Sequence, residues 1–401
     1  MYFDEFGFDD DLMDGIDAMG YQTATPVQEQ VIPPILAGND IIAAAQTGTG
    51  KTAAFLLPVI QKLLTEHHDS HTINAMIIVP TRELAVQIAQ TLEGISYYTD
   101  ISFIDVYGGT GGASFAAEKK ALTSGADIVI CTPGRMISHL NMGYARLDGL
   151  RYLILDEADR MLDMGFYEDI IKIISYLPKQ RQNLLFSATM PPAIRKLANT
   201  ILVKPVEINI AISKPPEQIK QEAFIVFEAQ KIPLVKYVLE QSQFDSVLIF
   251  CSSKLSVKKL TEELRRARFS ADQIQSDLDQ EKREQVLLDF RSRKLKILVA
   301  TDILSRGIDI EDINLVINFD VPHDGEDYIH RIGRTARAAT TGTAYTFVSE
   351  QEQYKLHKIE KLLGHPVTKA QVPEQFGPTP TPSESFHKPK SKNNKRRKFK
   401  R

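Results

Sequence analysis

"DIIAAAQTGTGKT", Asp40 to Thr52, decides how the rest of the chain is read. A short apolar run leads into glycines at 48 and 50, and Lys51-Thr52 opens a stretch of helical periodicity over 51–64. Strand, glycine loop, helix is the order that brings backbone N–H groups and a helix N-terminus up to a phosphate. Thr47 and the core Gly48-Thr49-Gly50-Lys51-Thr52 fit the end of a P-loop, although Ala45 stands where the usual pattern has its first glycine. In such a loop Lys51 reaches the β and γ phosphates and the Thr52 hydroxyl coordinates Mg2+.

A second stretch supplies what the phosphates need. "LILDEADRML", Leu153 to Leu162, runs from three apolar residues into Asp156, Glu157 and Asp159. Buried unpaired charge costs many kcal/mol, so a dry strand ends in carboxylates where a cation arrives. Asp156 is read as the acid facing Mg2+, largely through water, and Glu157 as the group that orients or deprotonates the attacking water.

Outward from these two motifs one grammar repeats. Apolar runs at 40–45, 75–80, 101–106, 127–131, 151–156 and 182–187 alternate with helical stretches such as 51–64, 82–96 and 191–199. The second half repeats it, with runs at 246–251, 296–301, 314–319 and 343–348 and helices over 254–268, 280–292 and 350–363. Near-continuous apolar strands alternating with helices predict an α/β chain whose mostly parallel sheets carry helices on both faces. The pattern occurs twice, so two domains are expected: 1–207, a linker 208–220 around a double proline, and 221–370. From 371 the text turns to Pro, Ser and Lys, which reads as a disordered basic tail over 371–401.

The bulk numbers exclude other classes. The 401 residues include no run of 18 apolar ones, so no membrane span is expected. The acidic start "MYFDEFGFDDDLMDG" is no signal peptide. Cys131 and Cys251 lie in apolar strand-like runs and read as buried thiols without disulfides, as in a cytoplasmic protein. Nine Lys or Arg and no acid fall between Lys388 and Arg401, which leaves the preceding chain with 39 bases against 51 acids. That tail suits sequence-independent tethering to RNA; a solubilising terminus and a nuclear address are the alternatives.

With "AQTGTGKT" and "LDEADRMLDMGF" together, the chain resembles the DEAD-box RNA helicases of superfamily 2, from residue 3 to about 365. The resemblance implies two tandem RecA-like domains, RNA-dependent ATP hydrolysis, and ATP with Mg2+ as ligands. "GYQTATPVQ" (20–28) resembles the Q motif, which makes Gln28 the reader of the adenine edge, Tyr21 the stacking aromatic and Phe3 its upstream support. An amide offers both a donor and an acceptor, which is what N6 and N7 of adenine require.

"PTREL", Gly108-Gly109 and "TPGR" resemble the first domain's RNA motifs, and imply phosphate or 2′-hydroxyl contacts from Arg82, Thr132 and Arg135. In "SAT", Ser187 and Thr189 are implied to couple the ATP state to RNA through Asp159. In the second half, Gln280, Arg283 and Thr301 are implied at RNA and Asp309 at the ribose. His330 is placed in interdomain coupling, and Arg334 and Arg337 at the γ-phosphate. An arginine finger there is worth roughly 10³–10⁵ in rate. The family usually has Gly where this chain has Ala336 and Ala339, a departure that bears on turnover.

The expected activity is local separation of short RNA duplexes, driven by RNA-stimulated ATP hydrolysis as the two domains close. The alternative is an ATP-gated RNA clamp with little unwinding. A DNA motor of the same superfamily and a metabolic kinase fit the motifs less well. Expected partners are single-stranded RNA and short duplexes without sequence preference, together with ribosomal or RNA-decay proteins.

Overall fold

The computed structural model describes residues 1–45, 48–108, 112–210, 219–241, 244–275, 277–301, 313–322, 325–335 and 342–382. They fall into two compact units, which divide between 210 and 219. The first contains β1 (Ile41–Ala44), β2 (Ala75–Ile78), β3 (Phe103–Val106), β4 (Ile128–Cys131), β5 (Tyr152–Leu155), β6 (Gln182–Ser187) and β7 (Val206–Asn209). The second contains β8 (Ile219–Ile225), β9 (Val247–Cys251), β10 (Ala271–Ile274), β11 (Ile297–Thr301), β12 (Leu315–Asn318), β13 (Gly342–Val348) and β14 (Thr368–Lys369).

The first sheet runs β3-β4-β2-β5-β6-β1-β7 and the second β10-β11-β9-β12-β13-β8-β14. Numbered from the first strand of each, both orders are the same, and every pairing is parallel. Strand side chains alternate between two covered faces. Ile77, Ile130 and Ile154 enter one core of the first unit, and Met76, Val129 and Leu153 enter the other. In the second unit Val247 and Ile249 join one core, while Ala223 and Ala344 join the other. Cys131 and Cys251 are buried and free. No helix among the described residues is long and apolar enough to cross a membrane.

Several strands carry little apolar signal and escape a sequence reading. β7 is an edge strand with only Ile208 buried, and β10, "ADQI", is an edge strand too. Residues 208–209 and 219–220, expected in the linker, lie in β7 and β8; 211–218 lie outside the described residues.

The expectation of a disordered tail also fails for 371–382. There Phe376 sets its ring edge-on to Tyr237 at 5.6 Å. The Gln230 amide donates to the Phe376 and Pro378 carbonyls at 2.8 and 2.9 Å, and Gln353 donates to the Thr381 carbonyl at 3.1 Å. Apolar Phe376 and buried Pro380 bring enough burial to order a Pro-rich strap that composition alone assigns to solvent.

One polar knot secures the second unit. Lys231, fully buried on the helix Glu228–Gln241, meets Glu352 at 2.9 Å and Asp320 and Glu228 at 3.1 Å. Asp320 also accepts from the Ser252 backbone N–H and hydroxyl at 2.7 and 2.8 Å. Burial alone would push its carboxyl up, but Lys231 and these donors outweigh it and hold Asp320 below the usual carboxylate range.

Candidate functional site

β1 lies inside the first sheet, and its extension is paired as Ala45 N–H donates to the Ser187 carbonyl at 3.0 Å. The chain then turns through Gly48 (φ 79°) and Gly50 (φ 92°), both left-handed, and Gly50 caps the helix Lys51–Thr65. Glycine is required twice over at 50. The backbone angle suits no other residue well, and a Cβ there would lie 2.8 Å from Gln28 Nε2. Gln28 is itself buried. Its Nε2 donates to the Gly50 carbonyl at 3.2 Å, and its Oε1 accepts from Thr25 N–H at 2.8 Å. Phe3 is buried 6.2 Å from the half-buried Tyr21 ring at an interplanar angle of 29°. The structure therefore sets Gln28 against Gly50 and Phe3 beside Tyr21; Thr47 lies outside the described residues.

Lys51 is 5% exposed, and its Nζ has no hydrogen-bond partner. Asp156 Oδ1 stands 3.7 Å away, too long for a hydrogen bond. Asp156 is buried beyond the end of β5. Burial pushes its carboxyl up against the pull of Lys51, and Glu157 and Asp159 add to the push. An orphaned buried ammonium beside an under-compensated carboxylate, with the Thr52 hydroxyl next to Lys51, fits a polyphosphate and a hard divalent cation. Among the described residues no group of three or more His, Cys, Asp or Glu could hold a metal alone.

Glu157 adopts φ 49° and ψ 48°, left-handed for a non-glycine residue, and caps the short helix Ala158–Asp163. Its buried Oε2 lies 3.3 Å from Arg160 NH1. Asp159 faces the end of β6. Its Oδ2 accepts from Thr189 N–H at 2.9 Å, its own N–H donates to Ser187 Oγ at 3.3 Å, and that hydroxyl donates to the Thr189 carbonyl at 2.7 Å. Ser187, Thr189 and Asp159 thus form one connected set.

The remaining first-unit residues stand at the carboxyl ends of β2, β3 and β4, the edge where open α/β sheets bind ligands. Arg82 opens the helix Arg82–Ile95, and its guanidinium comes within 3.7 Å of where a Cβ on Gly108 would sit. Thr132 caps the helix Pro133–Leu140, which carries Arg135. Gly109 lies outside the described residues.

In the second unit Thr301 ends β11 and Gln280 opens the helix Gln280–Arg291, where Arg283 is buried. His330 lies on the helix Gly325–Ile332, and buried Arg334 follows it. Asp309, Arg337, Ala336 and Ala339 lie outside the described residues.

Two residues at these sites escape the sequence reading. Arg160 is the ion partner of Glu157, and its i,i+3 spacing on a helix was a usable signal. Glu118 bonds Arg135 from a separate helix and leaves no local pattern.

A family model described as DEAD/DEAH box helicase matches residues 25–197, and one described as helicase conserved C-terminal domain matches 230–339. The ATP-dependent RNA helicase DeaD of Mycobacterium tuberculosis is 42% identical over 357 residues, covering 88% of this chain and 62% of that protein. The DEAD-box ATP-dependent RNA helicase CshA of Geobacillus kaustophilus is 40% identical over 360 residues, 90% of this chain and 76% of that one. The chain therefore spans less than two thirds of the mycobacterial relative's length. Among solved structures, S. cerevisiae Dbp5 bound to RNA and ADP BeF3 superposes with a TM-score of 0.82 at 30% identity, covering 92% of this chain and 95% of that one.

Proposed function

Because the chain belongs to the DEAD-box helicase family, we propose that it is an ATP-dependent RNA helicase that locally separates short RNA duplexes. The observation that carries this reading is the buried Lys51 ammonium, which has no hydrogen bond among the described residues and stands 3.7 Å from Asp156 beside left-handed Gly48 and Gly50. Lys51 and the loop N–H groups would hold the β and γ phosphates, and Thr52 and Asp156 would hold Mg2+. Mg2+ supplies Lewis-acid charge at the phosphoryl oxygens when bound. Glu157 orients the attacking water and accepts its proton, while Gln28 and Tyr21 take the adenine. Asp309 on the ribose and Arg334 and Arg337 on the γ-phosphate complete hydrolysis when the two units close.

Arg82, Thr132, Arg135, Gln280, Arg283 and Thr301 hold the RNA backbone without reading its sequence. Closure assembles both sites at once, so ATP and RNA each favour the other's binding. A strand bent to fit the closed cleft leaves its partner, and hydrolysis releases the closure.

The experiment is ATPase and strand release with a short RNA duplex, repeated with DNA of the same sequence. RNA should stimulate turnover strongly and DNA poorly, since 2′-hydroxyls distinguish the two. The Glu157→Gln chain should bind ATP and RNA yet not turn over. Equal stimulation by DNA would make the chain a DNA motor, and long-lived RNA complexes without strand release would make it a clamp.

A further inference from the structure

Arg135 is held from behind by a buried polar network. Glu118, on the helix Gly112–Ser124, has a side chain 3% exposed, and its Oε2 accepts from Arg135 Nε and from His139 Nε2, each at 2.7 Å. Its Oε1 accepts from the Ser114 hydroxyl at 3.1 Å. His139 is fully buried one turn beyond Arg135, and its Nδ1 pairs with the Tyr144 hydroxyl. The Phe115 ring stacks on His139 at 4.5 Å and 15°, and the Arg135 guanidinium carbon sits 4.6 Å from that same ring.

This arrangement fixes the guanidinium in two ways. The Nε bond sets its rotation, and the ring sets its plane. The network uses Nε, while NH2 is buried and, among the described residues, has no hydrogen-bond partner. A solvated arginine loses rotamer freedom when it grips a phosphate; one already ordered does not. Nothing in the network reaches Lys51 or Asp156, whose contacts are given above.

We propose that Glu118, His139 and Tyr144 are positioning residues for Arg135, ordering its guanidinium for an RNA phosphate before RNA arrives. The network sets RNA affinity and leaves the chemistry of ATP alone. The proposal deepens the helicase reading and rests on Arg135 as an RNA ligand.

The test uses the full chain and a fluorescent single-stranded RNA, with Mg2+ and a non-hydrolysable ATP analogue. Affinity is measured against salt, and the RNA half-saturation of the ATPase alongside it. Arg135→Ala should weaken binding about tenfold and make the salt slope shallower by roughly 0.7, one phosphate on a single strand. Glu118→Gln should weaken binding about fivefold in the parent and not at all in the Arg135→Ala chain, because coupled residues are not additive. The kcat at saturating RNA should hold in the Glu118→Gln chain.

Tyr144→Phe, which removes one hydroxyl, is the milder probe should Glu118→Gln fold poorly; its loss of about twofold should likewise vanish without Arg135. A Glu118→Gln or Tyr144→Phe effect of equal size in both backgrounds, or of no size in the parent, makes the network a brace between helices and overturns the proposal. An Arg135→Ala chain that binds RNA normally overturns the premise about Arg135 instead, while the ATPase comparison of RNA with DNA still tests the helicase reading.

Discussion

The two units carry the same pair of residues in the same places and use them in opposite ways. In each, a lysine lies at the start of the helix that follows the sheet's first strand, and a buried aspartate lies just beyond its fifth. In the second unit Lys231 and Asp320 meet at 3.1 Å among Glu228, Glu352 and Ser252, and the Asp320 carboxyl is held down. In the first, Lys51 and Asp156 stand 3.7 Å apart, the ammonium has no hydrogen bond, and the carboxyl is pushed up. One pair has its partners inside the fold and holds it together. The other is left short of partners, and under the proposed function a polyphosphate and a divalent cation supply them. Shared topology does not decide which pair does what; the surroundings differ, with carboxylates around Lys231 and left-handed Gly48 and Gly50 before Lys51.

The sharpest way to break this contrast is to remove each lysine. Lys51→Ala should cut RNA-stimulated ATP hydrolysis by about 10³-fold, since a buried cation aimed at developing phosphoryl charge is among the larger catalytic terms. Lys231→Ala should instead unfold the chain more readily, by about 3–5 kcal/mol in urea titration, because it strands buried carboxylates. A Lys231→Ala chain as stable as its parent would end the structural reading of the knot.

Asp320→Asn should cost about 2–3 kcal/mol at pH 7. Its depressed carboxyl gives stability that is present above the ordinary carboxylate value and lost as pH falls through the folded one. Stability of the parent should therefore drop across that acid window, and the variant's curve should be flatter there. The strap is the next test. A chain ending at Ala370 should lose about 2 kcal/mol against one ending at Pro382, through the Phe376 and Pro380 contacts. Equal melting would show the strap lying idle on its helix.

The smallest effect runs the other way. Asp156 is raised, so its ionised form costs stability above the folded value and the cost fades as pH falls. Without nucleotide, Asp156→Asn should melt slightly later at pH 7, by about 1 kcal/mol, while turnover disappears.

Much of this could be read in the letters. Apolar strands such as "AMIIVP" and "RYLILD" announce sheets covered on both faces, and residue type and context single out Lys51, Thr52 and Asp156 as the candidate phosphate and Mg2+ residues. What could not be read has physical reasons. β7 and β10 sit at sheet edges, where one neighbour and partial exposure relax the demand for apolar residues. The strap around Phe376 depends on a surface built 139 residues earlier around Tyr237, and composition is blind to that. Glu118 meets Arg135 across two helices whose separation in sequence follows no period. The three carboxylates of the box were read as a cation site, while the ion pair of Glu157 with Arg160 went unread although its i,i+3 spacing was a usable signal.

Glu157 sits where conformation alone would have chosen glycine or asparagine, because left-handed backbone suits other side chains poorly. The chain keeps an acid there against that preference. A library of variants sorted for heat resistance and nothing else should drift toward asparagine or glycine at 157, and its survivors should be sturdy and silent.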